Sequence, residues 1–215
     1  MIKDVPAFIA ANTRIQAPPH VPEIRLYLAD DAVSLWQMTE EELGELGLPP
    51  PFWAFAWAGG QALARHLLDH PDITRGRRVL DVASGSGLVA IAAMLAGAES
   101  ALAVDIDRFC ADAARLNAAL NGVSIATSDR DPIGEETPCD LILVGDLFYD
   151  RDIATRLLAW LELLEARGAA VLIGDPGRAY LPKERLDKIA EYAVPTTRAL
   201  EDAEVKRTGV WRLKR

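Results

Sequence analysis

The segment that most limits what this chain can fold into is Arg78-Val79-Leu80-Asp81-Val82-Ala83-Ser84-Gly85-Ser86-Gly87-Leu88. An apolar run breaks into a turn with two glycines, and a second apolar run of helical length comes at once after it. Glycine lets the backbone turn tightly and approach a neighbour closely, and a helix starting there offers unpaired amides. From residue 77 onward the chain repeats this alternation. Strands are predicted at 77–82, 101–104, 123–126, 141–144 and 169–173, and helices at 88–96, 109–121, 152–165 and 183–192. A last strand is predicted in the tail, where Gly209-Val210-Trp211-Arg212-Leu213 alternates apolar and polar. Uniformly apolar strands separated by helices belong to a parallel sheet covered on both faces. The prediction is a doubly wound, Rossmann-like α/β domain.

Nothing in the sequence repeats, and no low-complexity linker divides it. Prolines at 17–22 and 48–51 mark boundaries, because proline ends helices and biases its predecessor to extended conformations. Residues 1–50 therefore read as an N-terminal extension packed on a domain of residues 51–215. Within the extension, Thr39-Glu40-Glu41-Glu42 has the pattern of a capping box. A chain of 215 residues with 50% hydrophobic and 26% charged residues can hold one core without a metal or a disulfide. Its apolar runs break well before the ~18 residues that a membrane span needs. The first sixteen residues lack the pattern of a secretory or transit leader, so a soluble cytoplasmic protein is expected. Cys110 and Cys139 stand 29 apart with no C-x-x-C, which predicts neither a zinc site nor a disulfide framework. The net charge of −9 disfavours nucleic acid as a partner and suits a cationic ligand or a basic protein segment.

Two cofactors compete for the glycine turn. Gly85-Ser86-Gly87-Leu88-Val89-Ala90 fits G-x-G-x-x-A, and Asp105 lies 20 residues beyond Gly85, where a ribose diol would sit in a dinucleotide site. Against a pyrophosphate stands Asp81, whose carboxylate would repel it. S-adenosylmethionine has no phosphate but carries a ribose diol and an α-ammonium, and so suits both acids. A turn that merely packs helix on sheet is the third reading. Ser128 or Asp129, after the third strand, is placed to bond an adenine amine, unless it is only a solvated turn.

A second constellation is Asp140-Leu141-Ile142-Leu143-Val144-Gly145-Asp146-Leu147-Phe148-Tyr149, a buried strand ending in D-L-F-Y. Reacting groups of α/β enzymes stand at such strand ends, and this strand should lie beside the first. Asp146 is a candidate acceptor for an incoming amine, with Phe148 and Tyr149 as walls whose ring faces hold a cation. The alternative makes Asp146 a helix cap and both rings core. The tetrapeptide is neither N-P-P-Y nor D-P-P-Y, which weighs against methylation of adenine or glutamine amide nitrogen. Upstream, Pro51-Phe52-Trp53-Ala54-Phe55-Ala56-Trp57-Ala58-Gly59-Gly60-Gln61 precedes a predicted helix at 61–69. Such aromatic runs are usually core, but Trp57 beside two glycines can also lie over a cofactor.

Taken in order, P-F-W-A-F-A-W-A-G-G-Q, V-L-D-V-A-S-G-S-G-L, A-V-D-I-D and D-L-I-L-V-G-D-L-F-Y-D resemble the family-16 seven-strand methyltransferases. The resemblance is strongest to the branch that methylates lysines of the electron transfer flavoprotein β-subunit, and it covers roughly residues 51–215. It implies a seven-stranded class I methyltransferase sheet and a protein-lysine N-methyltransferase using S-adenosylmethionine. The substrate it implies is that β-subunit, with a ribosomal protein such as the acidic stalk protein still open. By residue, it implies that Trp57, Ser84, Gly85, Gly87, Asp105 and Gly145 contact the cofactor, with Asp81 at its methionyl end and Ser128 or Asp129 near adenine. Asp146 and the Tyr149 ring would orient the lysine. Ala83 replaces a common glycine, which negative φ would tolerate, and Ser128 replaces a frequent tryptophan. The rivals are a small-molecule N-methyltransferase, an NAD(P)-dependent reductase and a non-catalytic binding module. The reductase lacks a Tyr-x-x-x-Lys pair, since Tyr180 and Lys183 have two residues between them. An open, acidic rim would favour a protein substrate, and a lidded pocket built from the first fifty residues a metabolite.

Overall fold

In the computed structural model, which describes residues 2, 4–29, 50–196 and 203–214, the chain begins with helix α1 (Val5–Ala11). A two-stranded antiparallel ribbon of β1 (Arg14–Gln16) and β2 (Leu26–Leu28) comes next. Asp4 caps α1 by accepting the Ala7 N–H at 3.0 Å, and Pro6 sits in the first turn, where no amide is needed. The capping box expected at 39–42 lies outside the described residues. Helix α2 (Ala58–Asp69) then leads into β3 (Arg78–Val82), α3 (Leu88–Leu95), β4 (Ser100–Val104), α4 (Arg108–Leu120) and β5 (Ala126–Ser128). Next come β6 (Leu141–Gly145), α5 (Arg151–Ala166), β7 (Ala170–Asp175), β8 (Leu186–Pro195) and β9 (Val205–Leu213). Among the described residues no helix is long and apolar enough to cross a membrane.

Strands β3 to β9 form one seven-stranded sheet in the order β5-β4-β3-β6-β7-β9-β8. Strands β5, β4, β3, β6 and β7 are mutually parallel, and β9 enters antiparallel between β7 and β8. The strand expected to lie beside the first does so, with Leu80 opposite Ile142 and Val82 opposite Val144. Strand side chains alternate faces. Val79, Ala103, Leu141 and Leu143 pack under α2 and α3, and Leu80, Val82, Ile142 and Val144 pack on Leu157, Trp160 and Leu161 of α5. Asp81 lies one residue beyond Leu80, so it points to the α2–α3 side, where the glycine turn also lies.

Two expectations are corrected. Residues 183–192 are not a helix: a short 3-10 turn at Lys183–Arg185 passes into strand β8. Ala190, Tyr192 and Val194 recur every second residue and pack towards Leu63 and Leu67 of α2. Lys188 and Glu191, whose spacing suits a helical pair, instead place charge on an outermost strand that must resist further pairing. The strand expected at 123–126 begins at Ala126, because Val123 still closes the end of α4 by donating to the Ala118 carbonyl at 3.1 Å.

The described N-terminal residues pack on the helical layer. Val5 and Ile9 join Trp53, Phe55, Phe109 and Cys110 in one cluster, and Val21, Ile24, Leu26 and Leu28 join Ala64, Leu88 and Ile91 in another. Buried Asn117 links this part to the glycine turn. It accepts the Tyr27 N–H at 2.7 Å and donates to the Ser86 carbonyl at 2.8 Å.

Candidate active site

The glycine turn occupies the carboxyl end of β3. Gly85 and Gly87 have φ of +51° and +78°, a region open to glycine without strain. A Cβ on Gly87 would stand 2.7 Å from the Ala114 Cβ, so this glycine also lets α3 start against α4. Ala83 departs from the expectation of a negative φ: its φ is +53°. For alanine that is a strained conformation. Its neighbour helps to hold it there, since the Ser84 N–H donates to the Val104 carbonyl at 3.1 Å.

Three carboxylates are built onto neighbouring strand ends. Asp81 is almost wholly buried and accepts the Ala90 N–H, in the first turn of α3, at 3.0 Å. Burial pushes its carboxyl up to about 8, the Ala90 hydrogen bond pulls it down and the Asp105 charge adds to the rise. Among the described residues no ion pair reaches it. Asp105 comes just after β4, accepts the Gly85 N–H at 3.0 Å and the Asp107 N–H at 3.1 Å, and donates its own N–H to the Ser128 carbonyl at 3.1 Å. Asp146 comes just after β6 with φ of +57°, a region aspartate enters more readily than most residues.

Asp146 is held from two sides. Its Oδ2 accepts the Gly60 N–H at 3.1 Å, and its Oδ1 accepts Arg178 Nε at 3.0 Å and Nη2 at 2.6 Å. The Gly60 amide lies in the first turn of α2, where the helix dipole favours an anion. Helix α2 reaches that close only because Gly59 and Gly174 lack side chains: a Cβ on Gly59 would fall 2.2 Å from the Gly174 carbonyl oxygen and 2.4 Å from Asp146 Oδ2. The cap of α5 is Asp150, which accepts the Ile153 N–H at 2.9 Å, so Asp146 is not that helix's cap.

One cleft joins these parts. It is lined by Phe55, Trp57 and Gly60 on one side, by Asp81, Ala83, Ser84, Gly85, Ser86, Leu88 and Val89 along the turn, and by Gly145 and Asp146. Of the sequence-expected cofactor residues, Trp57, Asp81, Ser84, Gly85 and Gly145 line it directly. Gly87 closes its back, and Asp105 reaches it through the Gly85 amide. Ser128 is half-buried beside Asp105, and Asp129 is exposed; neither lines the cleft. Tyr149 is half exposed, its ring 6.4 Å from that of Phe52. Phe148 corrects its expectation as a wall, because it is fully buried in the α5-side core and has no face to offer a substrate. In the aromatic run, Trp53 is core, stacked on Phe109, Phe55 and Trp57 line the cleft, and Phe52 is exposed.

The arrangement suits S-adenosylmethionine and not a pyrophosphate. The Gly85 amide, which a pyrophosphate would need, is taken by a carboxylate, and Asp81 and Asp146 face the same space. Among the described residues the buried Ser84 hydroxyl has no hydrogen-bond partner, which leaves a donor for an incoming ligand. Among the described residues no cluster of His, Cys, Asp or Glu could hold a metal ion.

Arg178 escaped the sequence reading. It stands in Gly174-Asp175-Pro176-Gly177-Arg178, just beyond β7. Buried Asp175 shapes that loop by accepting the Gly177 N–H at 2.6 Å and the Arg178 N–H at 2.7 Å, and burial raises its carboxyl above the usual range. The available signal was an acid, proline and glycine preceding an arginine at a strand's carboxyl end.

Known proteins resemble the chain at three levels. A family profile described as ribosomal protein L11 methyltransferase (PrmA) matches residues 62–144. The electron transfer flavoprotein beta subunit lysine methyltransferase of Xenopus laevis is 41% identical over 212 residues, which span 95% of this chain and 85% of the frog protein. Its Danio rerio counterpart is 40% identical over 217 residues, 97% of this chain and 83% of the fish protein. Among solved structures, the ribosomal protein L11 methylase from Lactobacillus delbrueckii subsp. bulgaricus superposes with a TM-score of 0.52 and 24% identity. That match covers 75% of this chain and 81% of that one, and it speaks to the fold alone.

Proposed function

The chain belongs to the electron transfer flavoprotein β-subunit lysine methyltransferase family and is an S-adenosylmethionine-dependent protein-lysine methyltransferase; we propose that it methylates lysine side chains of the electron transfer flavoprotein β-subunit. S-adenosylmethionine, when bound, supplies a methyl group on a sulfonium. The lysine first gives its ammonium proton to water. Its lone pair then forms the N–C bond as the C–S bond breaks in line, and the leaving sulfur keeps the electron pair as a neutral thioether.

The observation that carries the reading is the Asp146 carboxylate at the end of β6, open to the same cleft as Asp81 and the glycine turn. In this reading Asp81 holds the cofactor's α-ammonium, Asp105 its ribose diol, and Ser84 bonds it through the free hydroxyl. Trp57, Gly85, Gly87 and Gly145 shape its walls. Ser128, Asp129 and the exposed apolar side chain of Ile106 flank the adenine. Asp146 and Tyr149 orient the lysine. Residues 51–215 would form the catalytic domain, with residues 1–50 as an extension on it.

Two further observations favour a protein substrate. None of residues 4–29 lines the cleft, so no described part of the extension forms a metabolite lid. Phe52, Tyr149 and Tyr180 have exposed rings, those of Phe52 and Tyr149 lying 6.4 Å apart, which an incoming protein surface could cover. The ribosomal reading is weaker: the L11 methyltransferase match ends at Val144, before Asp146, Tyr149 and Arg178, and so speaks to the cofactor half. The net charge of −9 argues for a lysine-bearing partner over nucleic acid or an anionic membrane.

The test is incubation with methyl-labelled S-adenosylmethionine and purified electron transfer flavoprotein, with a bacterial extract alongside, resolved on a gel and by lysine mapping. Label on β-subunit lysines, strongly reduced with Asp146→Asn although that variant binds cofactor within a few-fold of wild type, is expected. Label confined to a ribosomal protein or to small molecules would refute the substrate.

A further inference from the structure

An aspartate aimed at a lysine poses a chemical problem. The nucleophile is the free amine, and a lone carboxylate stabilises the ammonium, so it works against the reaction it positions. In this site Asp146 is not a lone charge. Arg178 places Nε and Nη2 on its Oδ1 at 3.0 and 2.6 Å. The two side chains keep only 21% and 10% of their exposure, so salt and water screen the pair weakly. A guanidinium cannot lose its proton in a protein, and its positive charge is therefore permanent.

The placement is enforced from behind. Asp175 fixes the loop through two backbone amides, and the guanidinium carbon lies 5.9 Å from the centre of the Trp57 ring, on the cleft side. Among the described residues, other charged or titratable groups near this corner include Asp81 of β3, Asp105 after β4, Tyr149 and Asp150 after β6, and Lys183 beyond the Arg178 loop. The start of helix α2 brings Gly59 and Gly60 to it, and Trp57 just before that helix faces Arg178.

We propose that Arg178 is a positioning residue of methyl transfer: it cancels the charge of Asp146, so that the carboxylate can orient the lysine while the site favours the free amine. The inference rests on lysine being the acceptor. A unit charge about 6 Å away, at an effective dielectric constant of about 20, moves a pKa by about two units.

The experiment measures kcat at saturating substrates against pH, from about 6.5 to 10, for full-length protein with purified electron transfer flavoprotein and labelled S-adenosylmethionine, because kcat reports the lysine as it sits in the complex. Wild type, Arg178→Gln, Arg178→Lys and the double variant Asp146→Asn/Arg178→Gln are compared. Arg178→Gln should move the acidic limb up by about one to two pH units, a loss of roughly 10–100-fold near pH 7 that is largely recovered at high pH. Arg178→Lys keeps the charge and should hold the limb near wild type. The double variant removes both charges and should return the limb towards wild type at a lower plateau. An equal loss at every pH, with the limb unmoved while wild type methylates the lysines, would overturn the role of Arg178 alone. No lysine methylation by wild type would overturn the reading beneath it as well.

Discussion

Replacing Asp81 by asparagine asks whether this acid waits for the cofactor's ammonium. The amide oxygen can still accept the Ala90 N–H, so the start of α3 keeps its partner while the ionisable group is lost. In the ligand-free protein burial holds the Asp81 carboxyl at about 8 against an ordinary 3.8. Its folded pKa lies above its unfolded one, so the folded state binds the extra proton between those values. The stability it carries is complete below about pH 4 and is lost as pH rises through about 8. By pH 7 that is about three units, or on the order of 4 kcal/mol at about 1.4 kcal/mol per unit. Asp81→Asn should therefore be more stable than wild type near pH 8 without cofactor, and its stability should vary less with pH.

Cofactor binding then gains a proton signature. With a pKa of about 8, about nine-tenths of Asp81 is protonated at pH 7, and an ammonium arriving beside it expels that proton. Calorimetric titrations of S-adenosylmethionine in buffers of low and high ionisation enthalpy should show about 0.9 more protons released by wild type than by the variant at pH 7. The variant serves as the reference for any proton the ligand itself gives up. Losing a charge-assisted hydrogen bond, about 1.5–3 kcal/mol, should weaken binding roughly 10–150-fold. Equal proton release in the two proteins, or equal affinity, would refute the placing of the ammonium at Asp81.

The other perturbations separate packing from chemistry. Gly87→Ala combines a φ of +78° with a Cβ 2.7 Å from that of Ala114; left-handed strain and overpacking together should cost roughly 2–5 kcal/mol in urea denaturation. Phe148→Leu should cost about 1–2 kcal/mol in the same assay and leave kcat/KM within about threefold. A hundredfold loss of kcat/KM with stability intact would restore Phe148 to the substrate wall.

What could be read along the chain was whatever repeats at short range. Apolar runs such as Val79–Val82 and Leu141–Val144 are buried on both faces and can only be interior strands, and the turn that joins β3 to α3 needs glycines that are visible as letters. Strand β8 was not legible, because Lys188 and Glu191 fit a helical pair and an edge strand equally well; the choice is made by β9, which pairs with β8 along nine residues. The two rings of D-L-F-Y could not be sorted either. The left-handed turn at Asp146 breaks the alternation of faces, so that Phe148 enters the core and Tyr149 stays out. Arg178 meets Asp146 across 32 residues, and only the adjacency of β6 and β7 brings them together.

That adjacency also explains how one cleft can use two aspartates for opposite ends. The ends of β3 and β6 are neighbours in a parallel sheet, so Asp81 and Asp146 open onto the same space. Two like charges there would repel, and each would disfavour the other's ionisation. The chain separates them by their partners. Asp146 lies beside β7, whose loop sets a permanently charged guanidinium against it in a largely buried corner. Asp81 is enclosed by β3, the glycine turn and α3, receives a single backbone amide in the contacts that hold it, and keeps its proton near neutral pH. The positive charge missing at Asp81 is the one that a cofactor with an α-ammonium brings. Ionisation of Asp81 is thereby tied to occupancy. Cofactor binding should thus be the proton-linked step at Asp81, and the pH dependence of turnover should answer to Arg178.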